Sequence, residues 1–285
     1  GAALAQALYG DVALRLIGDI DLAGPAPDVP ACRQALLDLG YLPDQVEERP
    51  GSLLAHRNQE RFEPPSPYRA PVELHWHILD VPYYLRHIPM EWFWQHSQTC
   101  SIAGQPFQVL SPEANLLYLP AHLALMHRFQ GLHSLLDLAL LIVQNGDRLD
   151  WDRIAAMAQS FDLLAALRAT LDRLTCCWPS LPLDEPRRLL YALTPSPTDV
   201  RLFRLLTAEP RAPLLDFYAD LASLPDLPAR MRFLLLNTFP QRAYMVRRYG
   251  VRSAWQLPYW YLYRLADGGL KMVRTVRQAL RLRSP

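Results

Sequence analysis

The hydrophobic period of this chain changes once, at Ser111, and that change limits the folds open to it. Before Ser111, short stretches of strand alternation mix with short helical ones; after it, apolar residues recur at helical spacing from Leu116 to Leu141, and helical patterning runs on to the end. Ser111 has the chemistry of an N-cap, and Pro112 suits the first helical position. Asp150 before Trp151 opens a second long helical stretch, and Pro179, Pro182, Pro186, Pro195 and Pro197 punctuate the remainder. The expected fold class is therefore α/β (α+β) over 1–110, followed by an all-helical region. We divide that region into a helical domain, 111–228, and a basic, aromatic helical segment, 229–285. Within the first part the patterning predicts helices over 2–9 and 28–39, the second capped by Asp28 and stopped at Gly40. It also predicts strands over 18–23, 52–62 and 70–78, and a hairpin over 99–110 that turns at Gly104 and Gln105.

Chemistry concentrates in two of these strands. In Gly18-Asp19-Ile20-Asp21-Leu22, residues two apart share a face, so Asp19 and Asp21 point the same way and Ile20 and Leu22 turn into the core. Adjacent carboxylates repel, and burying them unpaired is costly. Mg²⁺ takes one or two carboxylates together with phosphate oxygens and would relieve that repulsion. An exposed acid pair on an edge strand is the alternative. The second strand alternates strictly, with Val72, Leu74, Trp76 and Ile78 apolar and Glu73, His75 and His77 on the other face. A third carboxylate on a second strand is what a two-metal site needs, and Glu73 would bind the second ion and activate an attacking hydroxyl. A half-exposed sheet with polar residues facing water has the same alternation.

These residues carry a resemblance. The run Gly1-Ala2-Ala3-Leu4-Ala5 through Leu8-Tyr9, then Arg15, Gly18-Asp19-Ile20-Asp21-Leu22, Gly40-Tyr41 and Val72-Glu73-Leu74-His75-Trp76 resembles the uncharacterised nucleotidyltransferase family of the DNA polymerase β-like superfamily. His122, His127, Asp137 and Asp150-Trp151 follow in an order similar to that family's helical region, so the resemblance covers most of the chain. It implies a nucleotidyltransferase-type short mixed sheet flanked by helices, with two Asp on one strand and a third acid on a neighbouring strand binding two Mg²⁺. Asp19 and Asp21 match the paired acids, Glu73 the third acid, and Gly1 the glycine of the phosphate-proximal turn. The nucleoside triphosphate would meet Gly1, Arg15, Gly18 and His75. The implied reaction moves a nucleoside monophosphate from the triphosphate to an acceptor whose class, protein, small molecule, sugar or RNA, stays open. The competing expectation is a catalytically inactive protein of the same fold that uses its Arg-rich C-terminus to bind an anionic partner or a membrane surface.

Other residues have two readings each. Arg15 either contacts a phosphate or forms a salt bridge, with the Asp cluster or elsewhere. His75 and His77 share the face of Glu73, which allows either a His-carboxylate transition-metal site or a polar wall for the nucleotide. His122, His127, His133 and Asp137 serve packing or a substrate-side role, and His133 and Asp137, four apart, are placed to pair on one helical face.

Charge completes the reading. The formal net charge of +1 excludes a chain that is polycationic overall. Residues 229–285, however, hold twelve basic groups against Asp267 alone, +11, which leaves −10 on the other 228 residues. Tyr244, Trp255, Tyr259, Trp260, Tyr261 and Tyr263 are interleaved with them. Such a segment docks on the acidic body of its own chain, on an anionic membrane surface, or on nucleic acid or another anion. Cys32, Cys100, Cys176 and Cys177 form no CxxC pair, which points to a reducing compartment rather than a disulfide or zinc framework. The first twenty residues carry Asp11, Arg15 and Asp19 in place of a signal peptide, and a first residue that is Gly suggests a natural start further upstream. The expected location is the cytoplasm, with peripheral membrane contact left open by the basic segment.

Overall fold

The computed structural model describes residues 1–67, 69–102, 104–208 and 215–281. After helix α1 (Ala2–Leu8) comes a four-stranded mixed sheet in the order β1 (Ile20–Ala23), β4 (Val72–His75), β3 (Gln59–Glu63), β2 (Leu42–Pro43). β1 runs parallel to β4, and the other neighbours are antiparallel. The parallel step requires a crossover, and α2 (Val29–Asp38) supplies a helix for it. Pro30 sits in its first turn, and Gly40 ends the run with φ +85°, a left-handed backbone that glycine adopts without strain. Val29 and Leu36 of α2 meet Phe62, Val72 and Leu74 from one face of the sheet in a small apolar cluster. That burial leaves the other face free for polar groups.

Several local expectations need correction. Residues 52–62 are not one strand: Ser52–His56 form a short helix, α3, and only Gln59–Glu63 join the sheet. The Leu53-Leu54 pair has no strand period, and a single helical turn sends Leu53 into the small cluster. The strand expected over 70–78 ends at His75, because the Trp76 and His77 amides both bond to the Asn58 carbonyl. Ile20 and Leu22 do not enter the core. β1 is an edge strand, and these side chains remain 36% and 39% exposed. Two short helices, α4 (Tyr84–His87) and α5 (Met90–Gln95), follow the sheet. The hairpin is β5 (Ser97–Ile102) with β6 (Gln105–Leu110), so Gln105 begins a strand rather than sitting in the turn.

The change at Ser111 is real. The amide of Ala114 donates to the Ser111 hydroxyl at 3.2 Å and opens α6 (Pro112–Ala121), and the amide of Arg153 donates to Asp150 at 2.9 Å and opens α8 (Trp151–Ser160). Between them lies α7 (Leu132–Asn145), and beyond them come α9 (Leu164–Cys177), α10 (Asp184–Ala192), α11 (Pro197–Thr207) and α12 (Leu215–Ser223). α13 (Leu227–Thr238), α14 (Arg242–Tyr249) and α15 (Leu257–Arg281) follow; Arg283 of the basic segment lies outside the described residues. Leu116, Leu138, Ile154 and Leu167 centre a large apolar cluster.

One irregularity matters for the site. α6 continues into a π-helical turn, His122–Met126, in which the His127 amide reaches back five residues to the His122 carbonyl at 3.2 Å. Such turns arise where the ordinary ladder is interrupted, and Pro120 removes one amide just upstream. The turn ends on Arg128 and Phe129 with φ +52° and +62°, a conformation that costs non-glycine residues on the order of 1 kcal/mol each. Arg128 Nε donates to the Leu206 carbonyl at 3.0 Å, and the Arg173 guanidinium lies 3.7 Å over the Phe129 ring, and both contacts help to hold it in place.

Candidate functional site

Sheet register assembles the site. Asp21 pairs with Glu73 across the parallel step, and Glu73 with Arg61 across the antiparallel one, so the three side chains form a row on the polar face. Two residues further on, His75 and Gln59 form the next row. Glu73 is held at both oxygens: Arg61 Nη1 donates to Oε1 at 3.0 Å, and Gln59 Nε2 donates to Oε2 at 2.7 Å. His75 Nε2 lies between the carboxylates, 3.2 Å from Asp21 Oδ1 and 3.6 Å from Glu73 Oε2. One donor atom from each of Asp21, Glu73 and His75 falls within 4.8 Å of the others.

Charges in this trio are tightly coupled. Burial pulls the His75 proton affinity down, but the bonds to Asp21 and Glu73, and their charges, outweigh it and push the pKa up to about 9. In return, the His75 bond holds the Asp21 carboxyl below its ordinary range against the cost of burial. Glu73 is held low in the same way, with Arg61 and Gln59 adding to the effect. Asp19 goes in the opposite direction: partial burial, then repulsion from Asp21 and Glu73, raises its pKa.

The other predicted residues distribute unevenly. Asp19 precedes β1 and stays outside the trio, with Oδ2 3.8 Å from Arg61 Nη1. Gly1 passes close to the acids, since a Cβ built there would lie 3.4 Å from Asp21 Oδ2. Gly18 faces open space. Arg15 turns to Asp137, its Nε donating to Oδ1 at 3.0 Å and Nη2 to Oδ2 at 2.8 Å, while the Tyr9 hydroxyl donates to Oδ1 at 2.6 Å. Asp137 is therefore the partner of Arg15 and Tyr9 rather than of His133, because its side chain points inward and is only 1% exposed. His77 leaves the face of Glu73 once the strand ends. Its Nδ1 accepts from the Leu79 amide and its Nε2 faces the Ile88 carbonyl, and burial lowers its pKa to about 4.

Sequence reasoning missed Gln59 and Arg61, which orient Glu73; the alternation Gln59-Glu60-Arg61 was the available signal, obscured by merging β3 with α3. It also missed Tyr118. From α6 and the π turn, Tyr118 and His122 lie close enough to the acids for their charges to be felt at both. Burial lowers the His122 pKa to about 3, so its ring is neutral, and it meets the ring of His127 at 4.6 Å between centroids.

Two carboxylates and an imidazole are a donor set for a divalent cation. Adjacent donors around an ion with bonds of roughly 2.1 Å stand about 3 Å apart, close to the 3.2 and 3.6 Å separations at His75 Nε2. The residues present fit such an ion.

Residues 1–179 match a family model described as an uncharacterised nucleotidyltransferase. No curated protein and no solved structure matches the chain. With well over half of its length matched, the chain belongs to this nucleotidyltransferase family.

Proposed function

We propose, from that membership, that the protein is a Mg²⁺-dependent enzyme that moves a nucleoside monophosphate from a nucleoside triphosphate to an acceptor by in-line attack on the α-phosphate, releasing pyrophosphate. The observation that carries this reading is the convergence of Asp21, Glu73 and His75 at the polar face of β1 and β4. Asp21 and Glu73 would hold the metal, with Asp19 completing the set when nucleotide is present, and a second ion would be shared through the same acids. Bound there, divalent metal supplies charge neutralisation for the phosphates.

The chain's own residues do the positioning. Arg61 and Gln59 fix the Glu73 carboxylate in one orientation, and its depressed proton affinity suits a ligand better than a proton acceptor. His75 must give up its proton before it can coordinate, since an imidazolium has no lone pair to offer. Until then it neutralises the two acids in place. Gly1 lies beside Asp21, where a Cβ would stand 3.4 Å from Oδ2, and on this reading its backbone would meet the phosphates. Catalysis on this plan rests on orientation and charge. The four free cysteines suit work in the cytoplasm.

The reading is tested by pyrophosphate release with Mg²⁺ and each of ATP, GTP, CTP and UTP. Asp19→Asn together with Asp21→Asn is expected to reduce turnover by at least about a hundredfold; unchanged turnover refutes the assignment. A second reading, an inactive binding protein of the same fold, is favoured by the engagement of both Glu73 oxygens. Calorimetry decides between them, because a scaffold binds none of the four nucleotides.

A further inference from the structure

Helix α15 is fixed along one side and bare along the other. On the fixed side, the Tyr261 hydroxyl donates to the Pro240 carbonyl at 2.6 Å, Arg264 Nε donates to the Asn237 carbonyl at 2.8 Å, and Trp260 stacks on Tyr249. On the other side, Tyr259, Leu262, Ala266, Leu270 and Val273 recur at intervals of three and four, a single stripe, with Trp255 just ahead of it. Trp255 is 77% exposed, Leu262 66% and Leu270 59%. Isolated exposed apolar residues need no explanation, but an aligned stripe with aromatic residues at its head does.

Charge selects the partner. Residues 229–274 hold nine basic groups against Asp267. Arg232, Arg242, Arg248, Arg252 and Arg274 are exposed and make no ion pair among the described residues. A second copy of this surface would bring two strongly positive faces together, which repel. Nucleic acid would satisfy the arginines and leave the Leu and Val stripe in water. A bilayer rich in anionic phospholipid takes both, with arginines at the headgroups and Trp and Tyr at the level of the interface. No helix among the described residues is long and apolar enough to cross a membrane, and a stripe running along α15 suits contact in the plane of the surface.

We propose that Trp255 and the outer face of α15, together with the exposed arginines of α13 and α14, dock the protein on anionic phospholipid membranes. The full chain is floated with vesicles of phosphatidylcholine containing about one third phosphatidylglycerol, and with phosphatidylcholine alone. Binding is expected only to the anionic vesicles. Trp255→Ser, Leu262→Ser and Leu270→Ser combined should weaken it at least about tenfold with an unchanged circular dichroism spectrum. Arg242→Gln, Arg248→Gln and Arg252→Gln should each weaken it about fivefold and together remove most of its salt dependence. Absence of flotation at moderate salt overturns the proposal. So does a folded stripe variant that floats like the original. Sedimentation showing a dimer that the stripe variant converts to a monomer, without vesicle binding, assigns the face to a second copy instead.

Discussion

His75 sets the electrostatic balance of the site, and its effect on stability has a definite sign. Its folded pKa lies near 9, raised above an unfolded value of 6.5, so the fold binds its proton more tightly than the open chain does. The stabilisation is fully present below the unfolded value and is lost as pH rises through the folded one. In chelator-treated protein, denaturant stability is expected to fall between about pH 6.5 and 9 by on the order of 3 kcal/mol, and His75→Gln should flatten that slope. An unchanged slope in the variant would place the titration elsewhere. The partners of His75 were legible on β4 because alternation placed Glu73 and His75 on one face. His77 was not, since the break after His75 comes from amide bonds to the Asn58 carbonyl, a contact nineteen residues away from His77. Asp137 was misjudged for a similar reason: helix spacing brings His133 near it, but Arg15, 122 residues distant in sequence, takes the carboxylate.

At the level of elements, that same pair ties the segment after α1 to α7. The Asp137 side chain is 1% exposed and that of Arg15 is 11% exposed, so removing one partner leaves a buried charge uncompensated. Arg15→Met is expected to cost about 3–5 kcal/mol, against about 1 kcal/mol for Tyr9→Phe. Chemical denaturation of both variants checks this, and equal small losses would mean that Asp137 finds another partner. Elements with local signals were legible: the caps at Ser111 and Asp150 act within three residues, and the hairpin is set by its own alternation. α3 was not, because five residues without period carry no signal of their own and Leu53 is committed only by the sheet above it. Nor was the π turn at His122–Met126. Pro120 announces an interruption but does not say how the ladder closes again.

Across the whole molecule, the change of period at Ser111 separates kinds of secondary structure without separating cores. Leu4, Leu8, Leu79, Ile88 and Phe93, all ahead of Ser111, belong to the same large apolar cluster as Leu116 and Leu138. Burying a large apolar side chain contributes about 2 kcal/mol, so these five account for about 10 kcal/mol, comparable to the net stability of an ordinary domain. Among the described residues, the small cluster around Phe62 and Leu74 draws on α2 and α3 but on none of the helices after Ser111. A fragment ending at residue 110 would expose the five residues and keep only the small cluster, too little to offset the entropy of ordering the chain. The fragment is therefore expected to lack a cooperative melt and to bind hydrophobic dyes, whereas in the full chain the sheet and α6–α9 should unfold in one transition seen alike by circular dichroism and tryptophan fluorescence. A sharp, reversible melt of the fragment alone would show that the acid-bearing sheet supports itself, and the candidate metal site could then be studied apart from the later helices.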